Sequence, residues 1–337
     1  MIERARLVHA GWDAPLEIER DAPRAKLEAG QVRVAVEACG VCHRDLLDRE
    51  GRFPFLQLPI TPGHEAAGHV VEVGEGVKDL APGDRVGTMH RDSCGACAAC
   101  EAGQTSLCSR AAWVFGLLAD GGYASEIVAP ASAFYRVAAD LPAAHAAVLH
   151  CTFGTAYRDL AVLARLRRGE RVLVTGANGG VGVAAVQIAA RLGAHVVALV
   201  RDAAHEPFVR ELGAHEVVLD TAKADPVDVA LDAVGAPTFL PALRALRPGG
   251  RMVVVGNVTK EKVGLNLGFV ITRGLEIVGG SGATREDMRA LLALHAAAPL
   301  RFVVARTMPL AEADQAQRLV KAGGLRGRIV LEPARRD

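Results

Sequence analysis

Residues 171–193, RVLVTGANGGVGVAAVQIAARLG, decide the architecture. The run up to Thr175 has the length and β-branched content of a buried strand. Gly176, Gly179, Gly180 and Gly182 follow, and an amphipathic helical pattern comes after them. Glycine lets a backbone turn sharply and approach another group closely. Where such a turn opens a helix, its amides, that of Val181 among them, point at an anion. Asn178 takes the middle place of a strict G-x-G-x-x-G, yet the strand before and the helix after give the motif its meaning. The expected ligand is the pyrophosphate of a dinucleotide.

Working outward, the next strand ends at Val200, where a carboxylate would hold the ribose 2′-hydroxyl of NAD. Arg201 follows and offers a planar fork to a 2′-phosphate, so NADP(H) is expected over NAD(H). Asp202 would restore a ribose carboxylate if the register shifted by two, but it equally suits an N-cap. Strand and helix patterns then alternate to residue 280, with one gap. Between Leu219 and Val227 too few residues remain for a crossover helix, so an extended crossover is expected. Gly256 and Asn257, with Gly235, end strands and would face the nicotinamide half. These segments predict a mostly parallel, doubly wound sheet of the Rossmann kind.

Upstream, residues 1–38 alternate short strand patterns with glycine and proline, a β-rich and barrel-like reading. Beyond it stand Cys42, the run Gly63-His64-Glu65, and later Cys151. Two thiolates and an imidazole are the three protein ligands of a tetrahedral zinc whose fourth position stays open. Asp45 would accept the other ring N–H of His64 and fix its tautomer, and Glu65 would approach the metal when water or substrate leaves. Cys94, Cys97, Cys100 and Cys108 form a Cys-x-x-Cys-x-x-Cys-x7-Cys array, which can close a second, structural zinc site. Trp113 and Phe115 would either line a pocket or pack a loop.

With GHEAAGHVVEVG, the four-cysteine array, HCTFGTAY and the glycine turn in hand, the chain resembles the zinc-containing medium-chain alcohol dehydrogenase family. The resemblance covers nearly the whole chain. It implies an α/β protein with a GroES-like β-rich catalytic domain and a Rossmann domain, two zincs, and a dinucleotide. The expected division is 1–150 with 281–337 for the catalytic domain and 151–280 for the cofactor domain. It also implies that Cys151 is the third catalytic ligand, with Thr155 on the same helix near the cofactor. Homodimers or homotetramers would form through the sheet edge around Leu275–Val278.

The reaction implied first is reduction of a zinc-polarised carbonyl, or oxidation of an alcohol. Family members run the accompanying proton through a Ser or Thr two places after the first ligand and a His three beyond. Arg44 and Leu47 stand there, and arginine does not release its proton near neutral pH. Arg44 suits a second reaction, in which it donates to an enolate oxygen while an enoyl thioester is reduced. The runs CGVCHRDLL, HCTFGTAYRDL, GAPTF and GNV resemble acryloyl-coenzyme A reductases. The plainer role of Arg44 is a phosphate contact or a surface ion pair. His43 would meet the cofactor pyrophosphate, since neighbours on an extended strand face opposite ways. A nonenzymatic dinucleotide-binding protein is the remaining alternative.

Composition narrows the partners. A formal net charge of +1 gives no field for nucleic acid or an anionic membrane, so a small molecule is expected. No run reaches the ~18 apolar residues of a membrane span, and no leader pattern opens the chain. Of the seven cysteines the two metal sites use all but Cys39, which fits a reducing, cytoplasmic location.

Overall fold

Glycine and proline cut the first strands short. β1 (Ile2–Arg6) and β2 (Glu17–Ala22) pair as an antiparallel ribbon, and β3 (Gln31–Val41) is the long strand of a second sheet. In this computed structural model, which describes residues 1–259 and 261–334, β3 runs into Cys42, whose extended backbone caps α1 (His43–Arg49). Asp45 closes the cap by accepting from the Cys42 amide at 2.8 Å. β4 (Glu65–Val73) and β5 (Arg85–Thr88) add to β3 in antiparallel order. After α2 (Ala98–Glu101), β6 (Glu126–Pro130) returns to β3 and β7 (Phe134–Arg136) joins β5. α3 (Ala143–Val148) continues as a π-helical segment, Leu149–Gly154, that carries Cys151.

α4 (Thr155–Tyr157) and a second π-helical segment, Arg158–Leu163, lead to the parallel sheet. Its strands are β8 (Arg171–Val174), β9 (His195–Leu199), β10 (Glu216–Val218), β11 (Val227–Asp232), β12 (Leu246–Val254) and β13 (Glu276–Gly279). They lie in the order β10-β9-β8-β11-β12-β13. The order reverses between β9, β8 and β11, the switch point that opens a crevice at the carboxyl ends of a doubly wound sheet. α5 (Gly180–Arg191), α6 (Glu206–Glu211), α7 (Ala236–Ala245) and α8 (Leu267–Arg273) connect the strands. Between β10 and β11 there is only one 3-10 turn, Thr221–Lys223, in place of a crossover helix. β12 starts at Leu246 and takes the Pro-Gly-Gly run into an irregular first half.

After α9 (Arg285–Ala297) the chain supplies β14 (Val304–Pro309), α10 (Ala313–Ala322) and β15 (Arg328–Glu332) to the first sheet, where β15 pairs with β3. Two compact units result, Met1–Cys151 with Val304–Asp337 and Thr152–Val303. The return to the first unit therefore comes at Val304 and not at the expected 281. The reason lies in long-range bonds: Arg158 donates to Asp287 at 2.8 Å and to Ser281 at 2.9 Å, and Gln187 and Arg301 exchange two hydrogen bonds of 2.7 and 3.0 Å. These bonds keep α9 with the parallel sheet. Each unit has its own apolar core, built on Val32, Val34, Phe115 and Phe134 in the first and on Leu173, Val197, Ala230 and Met252 in the second. Among the described residues no helix is long and apolar enough to cross a membrane.

Candidate functional site

Three elements of the first unit bring the dispersed residues together. Cys42 follows β3 as the cap of α1, His64 directly precedes β4 and Glu65 opens it, and Cys151 sits in the π-helical segment. Their ligand atoms all lie within 4.8 Å of one another. Cys42 Sγ is 3.8 Å from Cys151 Sγ, and Cys151 Sγ is 3.4 Å from His64 Nε2. Two sulfurs bound tetrahedrally at ~2.3 Å from one zinc stand about 3.8 Å apart, so the donor set fits the ion. Asp45, fully buried, accepts from His64 Nδ1 at 3.0 Å and leaves Nε2 for the metal. It also takes the Tyr123 hydroxyl at 3.0 Å, which completes its shell.

Charges in the cluster are arranged to meet a cation. Cys42 is held well below the usual thiol range by the Cys151 thiol hydrogen bond, with Arg328 and His64 adding to it. Burial and Arg44 push His64 down, but Asp45 and Cys42 outweigh them and raise it to about 9. Metal binding therefore displaces protons from this site.

Sequence reading missed Arg328. Its guanidinium lies 2.6 and 3.1 Å from the two Glu65 oxygens and 3.4 Å from Cys42 Sγ. Burial raises Glu65, and Arg328 opposes that shift. Glu65 is thus engaged by a cation of the same unit. Gly40 makes room for it, since a Cβ there would lie 2.2 Å from Glu65 Oε2. The register Ile329↔Val41 and Val330↔Gly40 puts Arg328 beside Cys42, and only that pairing could have revealed it.

Arg44 is fixed. Its Nη2 donates to the Phe115 carbonyl and lies 3.3 Å from Asp48 Oδ2, one helical turn along α1. Asp48 is fully buried, and burial raises it to about 7 against the pull of Arg44. The ion pair is therefore a buried one and not the surface pair of the plainer reading. Leu47 is half-buried on the same helix. His43 is the first residue of α1, so the strand-alternation argument used to orient it does not hold: Cys42 and His43 straddle a strand-to-helix junction. His90, also missed, stacks on His150 at 5.4 Å, and its carbonyl accepts from the Phe115 amide at 3.3 Å. Phe115 itself is fully buried against Phe134 and Trp113 packs on the same core. Both are packing residues.

The four-cysteine array folds into a lobe of the same unit. Cys94 Sγ is 4.0 Å from Cys100 Sγ, and Cys97 Sγ is 3.9 Å from Cys108 Sγ, again close to the edge of a zinc tetrahedron. Cys39 is fully buried on β3.

In the second unit the glycine turn sits at the carboxyl end of β8. Gly182 approaches Gly176 so closely that a Cβ would lie 2.1 Å from the Gly176 carbonyl oxygen. Gly179 caps α5, and the first-turn amides of Gly180 and Val181 have no acceptor within the helix. Asp232, fully buried at the end of β11, accepts from Thr175 at 2.6 Å and from the Gly235 amide at 3.2 Å, tying the turn to the neighbouring strand. Gly256 packs on Ala233, with Asn257 beside it. Thr155 is buried in α4. Arg201 is exposed just beyond buried Val200, and the Ala177 amide donates to the Leu199 carbonyl at 3.2 Å, which brings that strand end to the turn. Asp202 accepts from the Ala204 amide at 2.9 Å and so caps the following turn.

Residues 28–139 match the alcohol dehydrogenase GroES-like domain and residues 180–297 the zinc-binding dehydrogenase domain. The chain is 35% identical to acryloyl-coenzyme A reductase of Metallosphaera sedula over 318 residues, 93% of this chain and 95% of that protein. The chain belongs to the zinc-containing medium-chain dehydrogenase family. An alcohol dehydrogenase of Geobacillus stearothermophilus is 36% identical, over 94% of this chain and 95% of its own. The solved structure of AibC superposes with a TM-score of 0.90 at 38% identity, covering 99% of this chain and 96% of that one. Family membership makes the protein an oxidoreductase with the GroES-like and Rossmann architecture described above. Both kinds of relative act on small molecules, by their names.

Proposed function

We propose that the protein is an NADPH-dependent reductase of α,β-unsaturated acyl thioesters, with a zinc held by Cys42, His64 and Cys151. The observation that carries this reading is Arg44, a fixed guanidinium where alcohol dehydrogenases of the family place a proton-releasing hydroxyl. This reverses the order in which the sequence ranked the two reactions. When bound, NADPH supplies a hydride and zinc supplies Lewis acidity toward a substrate oxygen. As the β-carbon takes the hydride, the double-bond electrons move toward the thioester oxygen, and the α-carbon then takes a proton from solvent. Arg44 donates a hydrogen bond to that oxygen as its charge grows. Asp45 would keep His64 in the tautomer that presents Nε2, and Arg328 would compete with a metal for the Glu65 carboxylate. The kinship to an acryloyl-coenzyme A reductase supports this reading.

Carbonyl reduction is the second reading. The two-thiolate, one-imidazole set and the kinship to an alcohol dehydrogenase favour it. The R44M variant separates the two: enoyl-thioester reduction falls by at least about tenfold, as for a lost oxyanion donor, while aldehyde reduction holds. Equal loss on both substrates counts against the assignment of Arg44.

Four further assignments complete the proposal. Cys94, Cys97, Cys100 and Cys108 hold a structural zinc that pins their lobe. Metal analysis should find two zincs per chain, and one in the C151S variant. Arg201 binds the 2′-phosphate of NADP(H), since Val200 and the capped Asp202 leave no carboxylate for the ribose. Copies associate through β13, an outer strand of the sheet that follows the helix of Leu267 and Ile271, which are 66% and 76% exposed. The seven unpaired cysteines suit a reducing compartment such as the cytoplasm.

A further inference from the structure

We propose that Asp48 is a positioning residue, holding the Arg44 guanidinium in the one orientation from which it can meet a substrate oxygen. The proposal rests on the enoyl-thioester reading of that site. Two carboxylates of α1 invite comparison. Asp45 is fully bonded, to the Cys42 amide, His64 Nδ1 and the Tyr123 hydroxyl, at 2.8 to 3.0 Å. Asp48 has none of its side-chain atoms exposed, and neither of its oxygens accepts a well-formed hydrogen bond. A native fold rarely keeps such a group without a use. If Asp48 only filled space, a leucine would do so without the cost of burying a carboxylate.

The cation it faces is Arg44, four residues back and on the same side of the helix. The Phe115 carbonyl accepts from Nη2, and Asp48 Oδ2 lies 3.3 Å from the same nitrogen. Nε is buried without a partner, and Nη1 makes no hydrogen bond among the described residues. Arg44 keeps 20% of its side chain accessible, so part of it can still meet a ligand. A long arginine side chain has much rotamer freedom to lose when it meets a ligand. Asp48 removes that freedom beforehand, and such pre-organisation is what makes a donor effective in a transition state. A group at this place that supplied only negative charge would weaken Arg44 toward an oxyanion, so the benefit has to be direction.

The test uses the zinc-loaded protein and its D48N, R44M and R44M/D48L variants. With crotonyl-coenzyme A and saturating NADPH, D48N should lower kcat by about tenfold to a hundredfold with little change in KM. R44M and R44M/D48L should have equal kcat, since Asp48 acts only through Arg44. This comparison does not depend on D48N folding; R44M, which leaves Asp48 without its cation, is checked for native folding by circular dichroism beside the double variant, which buries no unpaired charge. The second readout needs no turnover: in 15N side-chain spectra the Arg44 Nη signals, identified by their loss in R44M, should show slow rotation in the wild type and fast rotation in D48N. A D48N enzyme with unchanged kcat and an unchanged Arg44 signal overturns the proposal. So does a double variant markedly slower than R44M. If the wild type reduces no enoyl thioester, the reaction reading fails, and the spectra still decide whether Asp48 holds Arg44.

Discussion

At the scale of single residues the site is a balance of buried charges. Two thiols, an imidazole, Glu65 and Arg328 lie close together in a largely buried cluster, so the removal of one charge leaves its partner uncompensated. The clearest case is Arg328. In the R328M variant Glu65 keeps a buried carboxyl with no cation, and stability in urea should fall by about 3 kcal/mol. Adding E65Q should recover much of that loss, because the charge that caused it is gone. An R328M protein as stable as the wild type would mean that the ion pair contributes nothing. Cys42, His64 and Cys151 could be proposed from the sequence because the runs around them resemble those of the zinc-containing family, a lone Cys or His being more often packed than metal-bound, and the fold brings their ligand atoms within 4.8 Å of one another. Arg328 could not, since one arginine among many acquires meaning only from the pairing of β15 with β3.

Elements carry the next level of the account. The glycine turn was readable because its requirement is local: a strand, a tight turn and a helix within about two dozen residues. Gly182 tests it directly. The G182A variant puts a methyl carbon where the Gly176 carbonyl oxygen already lies, and the Kd for NADPH, followed by its fluorescence, should rise by at least about tenfold. Unchanged affinity would place the dinucleotide elsewhere. Asp159 is a feature no local pattern announced. It sits fully buried in the second π-helical segment with neither oxygen properly hydrogen-bonded. Burial drives its pKa well up; the Ser281 backbone and Arg158 pull it down and Asp287 pushes it up, so that the folded protein keeps this proton where the unfolded chain releases it. The sign follows from linkage: above the ordinary carboxyl range the unfolded state sheds the proton first, and stability falls as pH rises toward the folded-state value. D159N lacks this loss. Its advantage over the wild type in denaturant melts should be small near pH 4 and grow toward neutrality, by up to about 1.4 kcal/mol per pH unit. A difference independent of pH would show that Asp159 is ionised in the folded state.

Over the whole molecule, the two-unit plan follows from where each pattern can bury its apolar face. The alternating β-rich half and the strand-and-helix half were distinct in sequence, and the missing helix between β10 and β11 could be counted from chain length alone. The boundary at Val304 could not, because α9 has the same amphipathic pattern whichever unit it packs against. Its place is decided by Arg158 and Gln187, more than a hundred residues upstream. Association belongs to this scale as well. Leu267 and Ile271 leave an apolar face on α8, the helix that leads into the outer strand β13, and exposed apolar surface with an outer strand invites a second copy. The L267K/I271K variant should stay folded and sediment as a smaller species than the wild type. Identical sedimentation of the two would remove this face from the assembly.

The central claim, reduction of a carbon–carbon double bond next to a thioester with NADPH, is tested most directly by initial rates of cofactor oxidation. The zinc-loaded protein is given crotonyl-coenzyme A or butanal, each with NADPH and with NADH. The account predicts fastest turnover with crotonyl-coenzyme A and NADPH, with the aldehyde and NADH each slower. Rapid turnover of butanal with none of the thioester would contradict it and return the protein to carbonyl chemistry.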